Sequence, residues 1–153
     1  MGKFDNQKFE SGRQDYETPE SIFNPLNEEF NFDLDVCATS ENAKCKKYFT
    51  TENNGLTQKW TGTCWMNPPF KDVGLWVRKA YEESGKGTTI VCLIASRTNT
   101  NWWHQYVMKA DEIRFIKGRP KFVGCIHGLP LPLSIVIFSS KCSKSAQLKI
   151  FEP

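Results

Sequence analysis

The tetrad Asn67-Pro68-Pro69-Phe70 contains the residues of this sequence that are best suited to chemistry. It follows the apolar run Cys64-Trp65-Met66, which places it at the end of a predicted buried strand. The Asn67 side-chain oxygen and the Pro68 carbonyl can each accept a hydrogen from a planar exocyclic amine that is to receive a methyl group. Both prolines fix φ and lack an N–H, so these acceptors lie on a stiff turn. Phe70 offers a face for stacking on a base that has left its duplex. The alternative is a tight turn after a core strand, with Phe70 in ordinary packing.

Several other segments occur in a characteristic order around this tetrad. In chain order they are Thr18-Pro19, Asp35-Val36-Cys37-Ala38, Asn54-Gly55-Leu56 with Trp60, the run from Trp65 to Phe70, Trp76, the run from Arg97 to Trp103, and Gly118-Arg119-Pro120-Lys121-Phe122. With this order the chain resembles the phage-type DNA adenine-N6 methyltransferases from about Thr18 to about Phe138. The resemblance implies a compact Rossmann-like class I methyltransferase fold, S-adenosylmethionine as cofactor, a flipped adenine in DNA as acceptor, and no metal.

The composition is that of a globular domain, since 39% of the 153 residues are hydrophobic and 13% are aromatic. Residues 1–15 are polar and lack periodicity, which predicts a flexible tail. Residues 16–153 are expected to form a single domain, without a separate target-recognition domain. The six cysteines show no Cys-x-x-Cys spacing, and there is neither a signal peptide nor an apolar run of 18 residues. These features favour a cytoplasmic protein with reduced thiols and argue against a zinc site and a membrane partner.

The charge is distributed unevenly along the chain. Residues 1–60 carry 7 Lys or Arg against 11 Asp or Glu, and residues 61–153 carry 13 against 6, which gives net charges of −4 and +7. The basic part therefore follows the tetrad, where a surface that contacts phosphates is expected in a nucleic-acid enzyme. A solvated lysine-rich exterior would give the same pattern.

Hydrophobic patterning predicts helices that alternate with strands. The predicted helices cover residues 18–30, 73–84 and 101–109, with a short helical turn at 41–46. In the first, Thr18 is the N-cap, and at Pro25 the helix either kinks or gives way to a second short helix capped by Asn24. The predicted strands cover residues 31–38, 48–50, 63–66, 88–95, 113–116 and 133–138. Such alternation implies an open α/β sheet, and the resemblance implies a mixed, mostly parallel one with flanking helices. Ligands bind such sheets at the carboxyl ends of strands, where the Asp35, Asn67 and Ser96 segments are expected.

The cofactor residues follow from the resemblance. It assigns Asp35 to the methionine end of the cofactor or to nearby water, Thr18 and Pro19 to a lid over that end, and Asn54 to the cofactor's adenine. Ala38 would let the backbone approach the ligand, and Glu52 would hold the ribose hydroxyls. Ordinary structural roles are the alternatives, because Asp35 can cap the following turn and Asn54 suits any turn before a glycine. Residues 35–40 contain no glycine, and Asn67 follows Asp35 too closely for an unabbreviated fold.

The substrate side is predicted from the segments after the tetrad. Adjacent residues on a helix point in different directions, so one of Trp102 and Trp103 is expected in the core and the other near a flipped base. Arg97 and Asn99 precede them on a loop and are candidate substrate contacts. Positively charged residues of the next strand and turn are candidate phosphate contacts, with a solvated sheet edge as the alternative; they are Arg114, Lys117, Arg119 and Lys121.

Methyl transfer to adenine requires positioning more than acid–base chemistry. His104 and His127 are therefore interpreted as structural or surface groups. The sequence favours a DNA adenine-N6 methyltransferase. One alternative is an enzyme of the same fold acting on rRNA adenine, cytosine or a protein glutamine, and another is an inactive nucleic-acid-binding module that has lost its cofactor. A phage structural protein would leave the polar acceptors of the tetrad unexplained.

Overall fold

The computed structural model describes residues 17–125, 128, 131–140 and 145–153, and the predicted tail at 1–15 lies outside these ranges. Seven strands form one sheet: β1 (Leu34–Asp35), β2 (Lys47–Tyr48), β3 (Thr63–Met66), β4 (Thr89–Ala95), β5 (Glu112–Ile116), β6 (Leu133–Phe138) and β7 (Gln147–Phe151). The helices are α1 (Glu20–Phe30), α2 (Val73–Ser84) and α3 (Asn101–Gln105), and 3₁₀ turns occupy Gly55–Thr57, Phe70–Asp72 and Val107–Lys109. None of the helices described is long and apolar enough to cross a membrane.

The strand order across the sheet is β2-β1-β3-β4-β6-β5-β7. The strands run parallel except for β6, which is antiparallel to its neighbours β4 and β5. The prediction of a mixed, mostly parallel sheet with flanking helices is confirmed.

The side chains of the central strands alternate between two cores, because successive residues of a strand point to opposite faces. On one face, Trp65 packs with α1, and on the other, Cys64 and Met66 pack with α2 and α3. The apolar strand β4 contributes to both clusters, as expected for a central strand covered on both faces. The carboxyl end of β3, and with it the tetrad, is therefore fixed from both sides of the sheet.

Several element boundaries differ from the sequence prediction. Helix α1 begins one residue later than expected: Pro19 rather than Thr18 is the N-cap, because the Thr18 side chain turns toward Asn67. The helix continues through Pro25, so no second helix capped by Asn24 begins there. Strand β1 has two residues where eight were predicted, and β7 was not predicted at all. Residues 36–46 form turns and bends rather than a helix, so this connection lacks the helix of a full βαβ unit.

Candidate active site

The tetrad lies at the point where the strand order reverses. From β1 the chain continues to β2 on one side, and from β3 it continues to β4 on the other. The two connections diverge, which leaves a crevice beyond the carboxyl ends of β1 and β3; open α/β sheets bind ligands in such a crevice. Val36 N–H donates to the Trp65 carbonyl at 3.1 Å, so the segments leaving β1 and β3 start side by side. The expected position of the Asp35 and Asn67 segments is confirmed.

The tetrad is a rigid link between β3 and α2. Met66 is fully buried, Pro68 is buried, and Asn67 and Phe70 are half-buried. Pro69 has an extended backbone, with φ −61° and ψ 143°, after which Phe70 begins the 3₁₀ turn that leads into α2. The Phe70 ring packs partly against the core cluster on the α1 face, so part of its surface is in ordinary packing and part is accessible.

Asn67 is held by a residue 49 positions earlier in the chain. Its Nδ2 donates to the Thr18 hydroxyl oxygen at 3.0 Å, and the Thr18 residue is only 2% exposed. Because the amide nitrogen of Asn67 faces Thr18, its Oδ1 lies on the opposite side of the carboxamide. The contact brings together two residues that the sequence assigned to different roles, the lid and the amine acceptor.

Asp35 organises the connection that follows β1. One carboxylate oxygen accepts from Cys37 N–H at 3.3 Å and the other from Lys44 N–H at 3.0 Å. Burial raises the pKa of the Asp35 carboxyl to about 6, although both N–H groups and the Lys44 charge act to lower it. These hydrogen bonds support the turn-capping role that the sequence left open for Asp35, and its role toward a cofactor remains a prediction.

A cleft of about 310 Å³ opens between the connection after β1, the loop before Trp60, and the tetrad. Its lining includes Val36, Cys37, Ala38, Phe49, Thr50, Thr51, Asn54, Gly55, Leu56, Pro69, Asp72 and Trp76. Ala38 and Asn54 are among the predicted cofactor residues, and they line this cleft together. Glu52 is exposed and is not part of the lining, and Thr18 lies instead at Asn67.

The wall of this cleft is built around Gly55. A Cβ there would lie 2.2 Å from the Val36 carbonyl oxygen and 3.1 Å from the Trp76 ring, so the site requires glycine. The Trp60 indole N–H donates to the Gly55 carbonyl at 2.8 Å, and the Trp60 and Trp76 rings stack with centroids 6.2 Å apart. Asn54, with φ 47°, caps the turn by accepting from Leu56 N–H. Sequence reasoning missed the wall formed by Gly55 and Trp76.

As predicted, one of the two adjacent tryptophans lies in the core and the other is partly exposed. Trp103 is 3% exposed in the core beneath α3, whereas Trp102 is half-buried. The Trp102 ring covers Gly74, where a Cβ would approach its Cδ1 to 2.8 Å, and Gly74 follows the tetrad by four positions. Arg97 and Asn99 are exposed on the loop after β4. His104, also exposed, is within 2.8 Å of the Thr98 carbonyl and braces the same loop, while His127 lies outside the described ranges.

The basic residues after α3 differ in whether their side chains are available to contact phosphate. Arg114 makes a bidentate ion pair with Glu29, with both N···O distances 2.7 Å, and a further bond of 2.8 Å to Glu112. Its guanidinium is therefore committed to carboxylates and is not placed to contact phosphate. Arg119 and Lys121 are exposed on the segment that follows β5. No cluster of three or more His, Cys, Asp or Glu side chains suited to a metal ion occurs within 17–125, 128, 131–140 and 145–153.

Comparisons with known proteins agree with this geometry. Residues 6–130 match the family model described as DNA N-6-adenine-methyltransferase (Dam). A DNA N-6-adenine-methyltransferase of Haemophilus phage HP1 is 39% identical over 103 residues, which are 65% of this chain and 60% of that protein. One of Escherichia phage T1 is 30% identical over 105 residues, 67% of this chain and 44% of that protein. The chain thus spans less than two thirds of the length of these relatives.

A solved structure described as a predicted O-methyltransferase from Agrobacterium tumefaciens aligns over 65% of this chain and 44% of its own, with 22% identity and a TM-score of 0.36. This similarity is too low to support the fold assignment, which rests on the strand order of this chain.

Proposed function

Because this chain belongs to the DNA N-6-adenine-methyltransferase (Dam) family, we propose that it transfers a methyl group from S-adenosylmethionine to the exocyclic N6 amine of adenine in DNA. The observation that carries the proposal is the position of Asn67-Pro68 at the reversal of strand order, directly beside the cleft of about 310 Å³. This position supports the proposal because it would make the acceptors for the amine and the pocket for the methyl donor neighbours.

The reacting amine needs help because its lone pair is delocalised into the purine ring. Asn67 Oδ1 and the Pro68 carbonyl each accept one amine hydrogen and draw the nitrogen toward tetrahedral geometry, which localises the lone pair. Held in this way, the nitrogen would be aligned with the methyl group that S-adenosylmethionine would supply, and the methylated nitrogen would release its extra proton to water. Most of the rate enhancement comes from alignment in a water-poor site, where fixed acceptors are effective.

The residues around the cleft fit a nucleoside-containing cofactor. The Asn54 side chain is exposed at the rim, the buried Gly55 backbone packs closely against the Val36 carbonyl, and the Trp76 ring forms an apolar wall. We assign the adenine end to the side of Asn54 and the methionine end to the side of Asp35 and the Thr18-Pro19 segment, with Ala38 between them. When bound, S-adenosylmethionine supplies a methyl group activated by its sulfonium charge.

The DNA side of the proposal uses the loops around the tetrad. Phe70 and Trp102 are both half-buried near the start of α2, and each is assigned a stacking role against the extruded adenine. The exposed loop residues Arg97 and Asn99 are assigned to the target strand, and the exposed Arg119 and Lys121 to phosphates. We place the reaction in the cytoplasm, where DNA and cofactor meet.

The test is transfer of labelled methyl from S-adenosylmethionine to unmethylated duplex DNA, followed by nucleoside analysis. A matched preparation of the Asn67→Ala variant controls for host methyltransferases. N6-methyladenine made by the wild type alone supports the proposal. Label found on cytosine, on RNA or on protein glutamine would show that this group, and not adenine in DNA, is the acceptor. Cofactor binding without transfer would identify an inactive nucleic-acid-binding module.

A further inference from the structure

We propose that a groove beside the edge strand β2 is a second DNA-contact surface, which holds backbone phosphates of the DNA that flanks the adenine to be methylated. The groove has a volume of about 500 Å³, and Lys46, Lys47 and Lys59 are among the residues that line it. This inference rests on the proposed function. It adds a contact in the half of the sequence whose net charge is negative, far along the chain from Arg119 and Lys121.

Positive charge is concentrated in this groove although the surrounding segment is acidic. Residues 17–60 contain eight acidic residues and four basic ones, and three of those four line the groove. They come from two segments, since Lys46 and Lys47 lie at the start of β2 and Lys59 precedes Trp60. The fold therefore brings together lysines that are 12 and 13 positions apart in the chain.

The three ammonium groups are available to contact phosphate. All three lysines are exposed. Within the part of the chain that the structure describes, none of them takes part in an ion pair, whereas the basic side chains that do are already matched with carboxylates. The carboxylate of Asp33 also lines the groove, but its Oδ2 accepts from Thr63 N–H at 2.9 Å, which ties it to the start of β3.

The floor of the groove is apolar, which strengthens the attraction of its lysines for an anion. Leu34 is 6% exposed, and Phe49 packs partly against the same core cluster. A cleft with charges of one sign and walls of low dielectric constant concentrates the electric field. An open groove with several lysines along it suits an extended phosphate backbone, as in proteins that bind nucleic-acid strands.

The groove is close enough to the tetrad for one duplex to contact both. Strands β1 and β2 have two residues each, which is about 7 Å of chain, so the two edges of the sheet lie close together on this side. Phe49 lines both the groove and the cleft of about 310 Å³ beside the tetrad. Because each DNA strand carries a phosphate about every 3.4 Å along the helix axis, a few nucleotides span this distance.

The first experiment measures duplex binding at several salt concentrations for the wild type and for Lys46→Gln/Lys59→Gln. Each phosphate contact that is lost releases one counterion fewer, so the slope of log affinity against log salt concentration should decrease by about two. Lys46→Arg/Lys59→Arg keeps both charges and should keep the wild-type slope. Unchanged thermal unfolding is expected for all of these exposed substitutions and is measured on the same samples.

The matched control is Lys86→Gln/Lys149→Gln. It also removes two exposed positive charges, but these lysines are paired with Glu83 and Glu112, so the slope should stay at the wild-type value. A slope that does not change in Lys46→Gln/Lys59→Gln, or that decreases equally in the control, would overturn the proposal and leave the groove as a solvated surface.

The second experiment asks whether the occupant is DNA or a small anion. The backbone N–H signals of Lys46, Lys47 and Lys59 are followed by ¹⁵N NMR while the wild type is titrated with a DNA duplex and, separately, with inorganic triphosphate. Shifts that saturate together with duplex binding support the DNA contact. Shifts with triphosphate alone would reassign the groove to a small anion, and no shift with either would refute a phosphate site.

Both experiments measure binding and not methyl transfer, so they are independent of the proposed activity. If the wild type methylated DNA adenine but the slope were the same in Lys46→Gln/Lys59→Gln, the activity would stand and the groove would not be a DNA contact. If the slope decreased as expected but no methyl were transferred, the DNA contact would stand and the proposed activity would fail.

Discussion

Replacing Gly55 by alanine tests whether the cleft beside the tetrad binds the cofactor. The added Cβ would lie 2.2 Å from the Val36 carbonyl oxygen, a distance far shorter than any real contact of this kind, and 3.1 Å from the Trp76 ring. Neither neighbour can yield freely, because Val36 is tied to β3 through the Trp65 carbonyl and the Trp76 ring stacks on Trp60. The turn that carries Asn54 must therefore retreat from β1 by about 1 Å to reach ordinary contact.

The size of the effect follows from three contributions. Overpacking costs about 1–3 kcal/mol, and weakening the bond from Trp60 to the Gly55 carbonyl costs about 1 kcal/mol. Alanine gains about 0.4–1 kcal/mol by restricting the unfolded chain. The net loss of about 1–4 kcal/mol corresponds to a fall in Tm of roughly 2–15 °C for a domain of this size. Because the displaced turn is a wall of the cleft, cofactor Kd should rise at least tenfold as well.

Thermal unfolding and isothermal titration with S-adenosylmethionine measure the two effects on the same samples. Gly85→Ala is the matched control, because Gly85 has helical dihedrals of −63° and −17° and its added Cβ would meet nothing closer than 3.4 Å. That control should be as stable as the wild type, or slightly more so, and should bind the cofactor normally. If Gly55→Ala bound the cofactor as tightly as Gly85→Ala, the cleft would not be the cofactor site, whatever the change in Tm.

Four further predictions follow. Asn67→Ala should lower kcat at least a hundredfold, which corresponds to about 3 kcal/mol of transition-state stabilisation, and should leave cofactor Kd unchanged within a few-fold. Asn67→Asp should keep partial activity, and single-turnover kinetics measure both variants. Wild-type turnover in Asn67→Ala would show that the tetrad is only a structural turn. Phe70→Tyr should be tolerated, whereas Phe70→Leu should lose about 1–3 kcal/mol in binding the extruded base; equal activity of the two would assign the ring to the core. If both Arg119 and Lys121 contact phosphate, the double variant Arg119→Ala/Lys121→Ala should decrease the slope of log affinity against log salt concentration by about two. Titrations of one DNA duplex at several salt concentrations measure this slope. An unchanged slope would contradict DNA contact by these two residues. The pKa of the Asp35 carboxyl in the folded state, about 6, exceeds its ordinary value of 3.8, so the stability that this group contributes is complete below about pH 4 and is lost as pH rises through 6. The difference in the free energy of urea unfolding between the wild type and Asp35→Asn should therefore change by roughly 2–3 kcal/mol between pH 4 and 8. A difference that stays constant with pH would contradict the raised pKa.

Elements with strong local patterns could be predicted from the sequence. Helix α2 and strands β3 and β6 have the predicted bounds, because each combines a hydrophobic periodicity with a clear stop signal, such as the prolines after β3 or the glycines after α2. The placement of Asn67 at the carboxyl end of a central strand needed only that pattern and the rule for α/β sheets.

Contacts between distant segments could not be predicted. Strand β7 has no buried stretch, since Leu148 and Ile150 are exposed at the sheet edge, and its strand conformation comes from pairing with β5. The pairing of Arg114 with Glu29 spans 85 positions, and nothing in the local sequence of either residue distinguishes it from a free surface charge. The hydrogen bond between Thr18 and Asn67 is of the same kind.

The short β1 helps to explain how a glycine-free connection can serve a binding site. A glycine-rich turn brings backbone close to a ligand by removing side chains, whereas here residues 36–46 contain no glycine and no helix. Their path is set instead by one buried carboxylate, because Asp35 accepts from Cys37 and Lys44 at opposite ends of the connection. The glycine of this site lies instead in the facing turn, where the Gly55 backbone packs directly against the Val36 carbonyl. The two walls therefore depend on different residues, so Asp35→Asn should loosen the connection after β1 while leaving the bond from Trp60 to Gly55 intact.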